Sequence, residues 1–176
     1  MRLFFIFGLL SGSCSYKYNG MLLEKPIEIN QDFILIDHNG NLVEFKSLLE
    51  KYNLIYFGYT LCPDVCYSAL KDISEALKYI KKDVKVLFIS VDIHRDKPEI
   101  LKQYLKNFNK HFIGLVPKDE NELYKITKFF SIAYQFNENG YISHSSFIIF
   151  IKDNKIIGYF PLGLKPKEIA NDLNRF

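Results

Sequence analysis

The sequence lacks tryptophan altogether and has only two methionines and three cysteines among its 176 residues. Three cysteines cannot build the disulfide framework that holds small secreted domains together, and a chain of this length buries enough surface to need none. Concentrated charge of one sign is also lacking: 23 Lys and Arg stand against 20 Asp and Glu, spread along the chain, for a net charge of +3. Because nucleic-acid-binding proteins gather their basic residues into a patch or stripe, we expect no nucleic-acid partner.

The rest of the composition is that of a globular chain, with 48% hydrophobic and 24% charged residues. The length fits one domain of ordinary size. No internal repeat, low-complexity tract or linker follows residue 30. We therefore expect a single folded domain over residues 31–176, preceded by a polar tether over residues 15–30.

The first 14 residues have the three-part composition of an export signal. Arg2 is followed by an apolar run over residues 3–10 and by the small residues 11–13, which lie directly before Cys14. The apolar run is far shorter than the ~20 residues that span a bilayer. Small residues before a cysteine also resemble a bacterial lipoprotein processing site, although Ser11 stands where such a site has an aliphatic residue. We expect residues 1–14 to be a signal or membrane-anchor segment; a buried first strand is the alternative.

Hydrophobic patterning predicts an alternation of strands and helices after the tether. Continuous apolar runs suit strands buried on both faces, whereas apolar positions spaced by three and four indicate amphipathic helices. The pattern predicts an α/β domain with a mixed central sheet, helices on both faces and an N-terminal hairpin. The predicted strands cover residues 33–36, 42–45, 54–59, 84–91, 112–116, 147–151 and 156–160, and the predicted helices cover 66–80, 98–108, 119–130 and 166–173.

The most informative segment is the turn between the third predicted strand and the first predicted helix, which contains Cys62 and Cys66. If Cys14 belongs to the leader, these are the only thiols of the domain. A helix N-terminus offers unpaired N–H groups and the positive end of the helix dipole, and both favour a thiolate over a thiol. Pro63 suits a first helical turn because its missing N–H would have had no helical partner. We therefore interpret the two cysteines as a reactive pair.

The spacing of Cys62 and Cys66 allows both sulfurs to face one metal ion or each other, because positions four apart lie above one another on a helix face. Thiol oxidoreductases usually have two residues between their cysteines. Here three residues intervene, and the wider loop can close around a metal. Two soft thiolates select Cu(I) or Zn over Mg or Ca, so the question is which side chain supplies a third ligand.

Position favours His144 among the four histidines. His38 lies in a turn, and His111 lies at a predicted helix end where a cation is favourable, so neither needs a functional explanation. His94 follows a buried strand and remains a reserve candidate. His144 lies immediately before the strand over residues 147–151. A loop that leads into a central strand can stand beside the helix N-terminus in a sheet of this order.

The segment Tyr56-Phe57-Gly58-Tyr59-Thr60-Leu61-Cys62-Pro63-Asp64-Val65-Cys66 resembles the signature of the Sco/SenC family, copper-binding proteins that assist the assembly of cytochrome c oxidase. The similarity extends from Asp32-Phe33 through residues 89–96 to Tyr141 and His144-Ser145. It covers essentially all of the chain after residue 30. The cysteine motif is its most specific part.

This resemblance implies a thioredoxin-like fold in which Cys62, Cys66 and His144 hold copper, as Cu(I) or Cu(II). It implies a chaperone that delivers copper to the binuclear centre of cytochrome c oxidase subunit II, served by a copper donor protein and a thiol reductant. Family members are tethered to the inner membrane of bacteria or mitochondria and work on its outer (periplasmic) face or the mitochondrial equivalent. The alternative role is a thiol-disulfide oxidoreductase that reduces the cysteines of that centre, in which Cys62 attacks and Cys66 resolves.

Three positions depart from the family pattern. Tyr67 stands where the family usually has Pro, and Ser143 replaces an Asp before the ligand histidine, which removes a carboxylate that could orient the imidazole. Ile93-His94 stands where a Pro and a charged residue are usual. His94 is thus an additional weak ligand or a solvated loop residue.

Other functions of the fold fit the sequence less well. Peroxide reduction needs a Thr before the reactive cysteine, which Thr60 provides, but also an opposing Arg that the sequence does not place there. A general oxidoreductase of this fold usually has a Pro before the strand that starts at Phe147, and this chain has Ser146. A structural zinc site requires four protein ligands.

Overall fold

The computed structural model describes residues 16–63 and 65–176, and this part of the chain forms ten strands and four α-helices. The predicted leader over residues 1–14, with Cys14, lies outside the described residues. Within the described ranges, no helix combines the length and the apolar character needed to cross a membrane. The strands are β1 (Met21–Glu28), β2 (Ile34–Asp37), β3 (Leu42–Glu44), β4 (Tyr52–Gly58), β5 (Lys85–Ser90), β6 (Phe112–Pro117), β7 (Tyr134–Phe136), β8 (Ile142–His144), β9 (Phe147–Lys152) and β10 (Lys155–Pro161). The helices are α1 (Val65–Ala76), α2 (Pro98–Leu105), α3 (Glu120–Phe129) and α4 (Pro166–Leu173), and a short 3-10 helix covers Phe45–Leu48.

Eight of the strands form one mixed sheet in the order β1-β10-β9-β4-β5-β6-β2-β3, and β7 pairs with β8 separately. Strands β4, β5 and β6 are parallel neighbours, and β9 runs antiparallel along the other side of β4. Six of the seven residues of β4 are buried, because both faces of this strand are covered. The strand that leads to the two cysteines therefore lies in the middle of the sheet.

Helices cover both faces of the sheet. On one face, a Cβ at Gly58 would touch Cys66 of α1, and a Cβ at Gly114 would touch α2. Helix α4 packs against α1 and lies on this face too. On the opposite face, the Phe57 ring lies 5.6 Å from the ring of Phe130, which follows α3. The prediction of a mixed sheet flanked by helices, with a hairpin of β2 and β3 near the N-terminus, is confirmed.

The segment predicted as a tether, residues 15–30, contains strand β1. This strand pairs antiparallel with β10 and forms one edge of the sheet. Nearly all of its side chains are exposed, so the sequence has no alternating apolar pattern there, and the backbone pairing with β10 holds the strand in place. The tether prediction is therefore wrong for Met21–Glu28.

The chain before β1 is fastened to α4 by Asp172, a contact that we call the Asp172 clasp. The buried Asp172 carboxylate accepts hydrogen bonds from the Tyr16 hydroxyl, from the backbone and side-chain amides of Asn19, and from the Gly20 N–H, at 2.8–3.0 Å. The Arg175 guanidinium also lies 4.5 Å from the centre of the Tyr16 ring. The clasp fixes the point at which the described chain joins the sheet.

Candidate metal centre

The two cysteines lie where β4 gives way to α1. Cys62 belongs to the connecting turn, and Cys66 belongs to the first turn of α1. The Cys66 N–H, which has no partner within the helix, donates to the Cys62 Sγ at 3.4 Å. Cys62 is half-buried, whereas Cys66 has no exposed surface. The helix start thus holds the more accessible sulfur in place.

Cys66 fits against the sheet because residue 58 has no side chain. A Cβ on Gly58 would lie 3.0 Å from the Cys66 Sγ and 2.9 Å from the Phe88 ring, closer than atoms normally approach without a bond. This role of Gly58 was not predicted from the sequence. The available signal was a glycine at the end of a strand of bulky buried residues, which indicates a close approach by another part of the chain.

His144 reaches the cysteines from the end of the β7–β8 hairpin, which the sequence did not predict. Its Nε2 lies 3.5 Å from the Cys66 Sγ. Its Nδ1 lies 2.9 Å from the Ser145 carbonyl oxygen, which only accepts hydrogen bonds. This contact assigns the ring proton to Nδ1 and leaves the Nε2 lone pair directed at the sulfur.

Two tyrosines of β4 and its following turn hold the imidazole. The rings of Tyr56 and Tyr59 lie 6.3 Å and 6.0 Å from the His144 ring in edge-to-face geometry. The Tyr59 hydroxyl also accepts a hydrogen bond from the Ile142 N–H at 3.0 Å. Tyr59 therefore ties the hairpin that carries His144 to the turn that carries Cys62.

Burial changes the pKa of two of the three groups. Burial, with a smaller contribution from the adjacent Cys62, raises the pKa of the Cys66 thiol from 9.0 to about 12. Burial lowers the pKa of His144 from its ordinary 6.5, and the hydrogen bond to Ser145 opposes this shift. His144 is therefore neutral at pH 7, the form that binds metal. The expectation that the helix start favours a thiolate is wrong for Cys66, because burial keeps it a thiol that has to lose its proton when a metal binds.

A buried carboxyl group supports the turn before Cys62. Asp96 accepts hydrogen bonds from the Thr60 N–H, from the Thr60 hydroxyl at 2.5 Å and from the Ser90 hydroxyl at 2.6 Å. Burial raises the pKa of Asp96, and these hydrogen bonds oppose the shift. Thr60, considered above as a peroxidase threonine, is therefore engaged in holding the end of β4.

The neighbouring Arg95 joins the same loop to the β7–β8 hairpin. Its Nε donates to the buried Asp92 carboxylate, and its Nη1 donates to the Gly140 carbonyl at 2.6 Å. The guanidinium also lies 5.9 Å from the centre of the Tyr59 ring. Arg95 lies within residues 89–96, which resemble the family pattern, but its contact with a backbone carbonyl 45 residues away has no sequence signature.

The ligand atoms of Cys62, Cys66 and His144 all lie within 4.8 Å of one another. No other group of three or more His, Cys, Asp or Glu residues in the described part of the chain has this geometry. Two thiolates and a neutral imidazole form a soft donor set that suits Cu(I) or Zn. The structure thus brings together the three residues that the sequence predicted as metal ligands.

The other histidines lie apart from this cluster. His38 Nδ1 accepts a hydrogen bond from the Gly114 N–H at 2.8 Å. The exposed His94 lies 2.8 Å from a Glu120 carboxylate oxygen, and the structure does not bring it to the sulfurs. His111 lines a surface cavity near the opposite ends of the parallel strands.

The departures from the family pattern leave the ligand atoms in place. The Ser143 hydroxyl accepts a hydrogen bond from the Asn137 side chain at 3.0 Å and so belongs to the hairpin. The backbone carbonyl of Ser145 orients the imidazole, the role that a carboxylate at position 143 could have had. Tyr67 packs its ring 5.0 Å from Phe108.

Several known proteins are similar to this chain. A family model described as SCO1/SenC matches residues 23–176. A SCO2-like protein of Rickettsia felis is 37% identical over 162 residues, which cover 86% of this chain and 78% of the relative. Copper-bound ScoI of Bradyrhizobium japonicum is 37% identical with a TM-score of 0.74, covering 85% of this chain and 99% of that one. Copper-bound ScoI of Arabidopsis thaliana is 27% identical with a TM-score of 0.78, covering 82% of this chain and 95% of that one.

Proposed function

The chain belongs to the SCO1/SenC family, and from this premise we propose that it binds copper through Cys62, Cys66 and His144 and assists the assembly of cytochrome c oxidase. The observation that carries the proposal is the convergence of the three ligand atoms within 4.8 Å. The copper-bound relatives of similar fold support copper as the metal. Copper is the cargo of this protein, taken up and passed on.

The donor set favours copper over the alternatives. Two thiolates and one imidazole give Cu(I) a three-coordinate site, and the same atoms also hold Cu(II), so handover need not require refolding. A structural zinc site is closed by four protein ligands, and the described residues bring three together. We therefore do not propose zinc.

Exposure gives the two sulfurs different roles in handover. The half-buried Cys62 is the sulfur that a ligand of a partner protein reaches first, whereas Cys66 lies behind it against the sheet. Displacement of Cys62 would leave the ion on Cys66 and His144 until the partner completes its own ligand set. Each cysteine releases its proton when copper binds, so only the dithiol form is loaded.

The proposed recipient is the binuclear copper centre of cytochrome c oxidase subunit II. A copper donor protein would load the site, and a thiol reductant would keep Cys62 and Cys66 reduced. The leader expected over residues 1–14 would tether the domain to the outer (periplasmic) face of the bacterial inner membrane or to the equivalent mitochondrial face. These partners and this location are what the family role requires.

The second candidate function is reduction of the cysteines of that centre. It is favoured by the same difference in exposure, because an accessible Cys62 can attack a disulfide and a buried Cys66 can resolve the product. The Cys62 thiolate would bond to one sulfur of the target and release the other as a thiolate. Cys66 would then give its proton to the thiolate already released and displace the remaining target sulfur as a second thiolate, leaving a Cys62–Cys66 disulfide that a thiol reductant has to reduce.

Copper titration of the reduced full-length chain tests the proposal. We expect one copper per chain, with His144→Ala weakening Cu(II) binding by at least ~100-fold because it removes a direct ligand, while the dithiol still exchanges with disulfides. His94→Ala is the matched control, since His94 is exposed and pairs with Glu120 away from the sulfurs. A parent chain that binds no stoichiometric copper yet reduces disulfides would support the reductase instead.

A further inference from the structure

Strand β4 places one more polar group against the proposed copper site, the hydroxyl of Tyr56. We propose that this hydroxyl donates a hydrogen bond to the Cys66 thiolate when copper is bound, and that Tyr56 thereby acts as a positioning residue that favours Cu(I) over Cu(II). The inference rests on the proposed copper function and assigns a residue that selects the oxidation state of the cargo.

Tyr56 borders two of the three proposed ligands. It precedes Gly58 by two positions, so its side chain points to the same face of the sheet. The space above Gly58 lies between Cys66 and Tyr56: a Cβ there would be 3.0 Å from the Cys66 Sγ and 3.2 Å from the Tyr56 ring edge. The Tyr56 ring also lies 6.3 Å from the His144 ring.

The Tyr56 hydroxyl is buried and has no hydrogen-bond partner within residues 16–63 and 65–176. A buried polar group without a partner is destabilising, and this one belongs to a side chain that borders two of the proposed ligands. The Cys66 Sγ borders the same space above Gly58 as the Tyr56 ring edge, but it forms no hydrogen bond with the Tyr56 hydroxyl. Loss of the Cys66 proton could therefore supply the hydrogen-bond acceptor that the Tyr56 hydroxyl lacks.

Copper binding makes that change. A thiol is a weak acceptor, whereas a thiolate accepts charge-assisted hydrogen bonds. A phenol has an ordinary pKa of about 10, so the Tyr56 hydroxyl keeps its proton at pH 7 and remains a donor. When Cys66 loses its proton to bind copper, its sulfur becomes the acceptor that the Tyr56 hydroxyl lacks.

A hydrogen bond to the sulfur affects the two oxidation states unequally. It withdraws electron density from the thiolate, and hydrogen bonding around a cysteine sulfur is a known determinant of copper redox potentials. Cu(I) leaves more negative charge on the sulfur than Cu(II) does, so the hydrogen bond stabilises the Cu(I) form more. Removing the hydroxyl therefore weakens Cu(I) binding more than Cu(II) binding.

Tyr104 provides a matched control. Its hydroxyl is also buried without a hydrogen-bond partner in the described part of the chain. Its ring packs on Phe88 at 5.9 Å, as the Tyr56 ring does at 6.4 Å. Tyr104 belongs to α2 and packs on Phe108, and no ring contact within the described ranges joins it to His144. Tyr104→Phe therefore removes the same group from the same aromatic cluster without removing the proposed donor.

The test compares Tyr56→Phe and Tyr104→Phe with the parent in the reduced full-length chain. Cu(I) affinity is measured by competition with a chelator, and the Cu(II) form by the sulfur-to-copper charge-transfer band. We expect Tyr56→Phe to raise the Cu(I) dissociation constant about tenfold, to raise that of Cu(II) about threefold or less, and to move the band to longer wavelength. Tyr104→Phe should leave all three at the parental values.

Two outcomes would overturn the inference. One is a Tyr56→Phe variant with parental affinities and an unmoved band; the other is an equal shift in Tyr104→Phe, which would indicate general loosening of the aromatic cluster. Both outcomes presuppose a parent chain that shows the charge-transfer band. A parent that binds neither Cu(I) nor Cu(II) stoichiometrically refutes the proposed copper function itself, so the two failures are distinguishable.

Discussion

Replacing Gly58 by alanine tests how closely the sheet and the proposed copper site are packed together. The added methyl group would lie 2.9 Å from the Phe88 ring, 3.0 Å from the Cys66 Sγ and 3.2 Å from the Tyr56 ring. Overpacking of this kind costs about 1–3 kcal/mol, and removing a glycine from a strand returns about 0.5–1 kcal/mol. We expect a net loss of about 1–2 kcal/mol in the free energy of unfolding. Displacement of the sulfur should also weaken copper binding about tenfold, equivalent to about 1.4 kcal/mol.

The assay combines denaturant unfolding of the copper-free protein with competition measurements of Cu(I) affinity. Gly114→Ala is the control, because its Cβ would meet Leu105 at 2.8 Å and Leu101 at 3.1 Å, away from the sulfurs. It should lose stability by a similar amount and keep the parental copper affinity. Parental stability and affinity in Gly58→Ala, or an equal loss of copper affinity in the two variants, would show that Gly58 does not set the position of the Cys66 sulfur.

Three further predictions concern the surroundings of the site. Arg95→Gln removes the guanidinium that donates to the Gly140 carbonyl. We therefore expect faster hydrogen exchange in the β7–β8 hairpin and about tenfold weaker copper binding. Hydrogen exchange at the parental rate would show that the hairpin does not depend on this contact. Burial raises the pKa of the Cys66 thiol from 9.0 to about 12, so its contribution to the free energy of unfolding of the copper-free protein is constant below pH 9 and falls as the pH rises from there towards 12. A Cys66→Ala variant should flatten this dependence, and coincident pH curves for variant and parent would contradict it. Asp172→Ala removes the carboxylate that accepts the hydrogen bonds of the clasp. We expect the free energy of unfolding to fall by about 2–3 kcal/mol in denaturant unfolding, and new protease cleavage near Tyr16. An unchanged free energy of unfolding would mean that the clasp adds no net stability.

The central part of the fold could be predicted because strands that are buried on both faces have continuous apolar runs in the sequence. The run at residues 54–59 became β4 (Tyr52–Gly58) with small shifts at each end. Strand β1 could not be predicted, because its side chains are exposed and its pairing with β10 is made by the backbone. The β7–β8 hairpin was missed for a related reason: its strands have three residues each, too few to show an alternating pattern.

The proposed ligands could also be found from sequence, since Cys62 and Cys66 are rare residues in a distinctive turn and the family resemblance pointed to His144. The groups that orient them could not. The Ser145 carbonyl holds the imidazole, and a backbone carbonyl has no residue-specific signature. Gly58 leaves space for the Cys66 sulfur, and this role is visible only when the structure shows Cys66 packed against it.

The long separation between the proposed ligands links metal capture to completion of the fold. His144 and Cys66 are 78 positions apart, and they meet only after β9 has aligned with β4. A nascent or half-assembled chain can present the two sulfurs but not the imidazole. A copper ion held by all three proposed ligands would therefore bind the native state more tightly than any precursor and stabilise it by mass action. Copper occupancy would in this way distinguish a fully folded chain from a partly folded one before it meets its recipient.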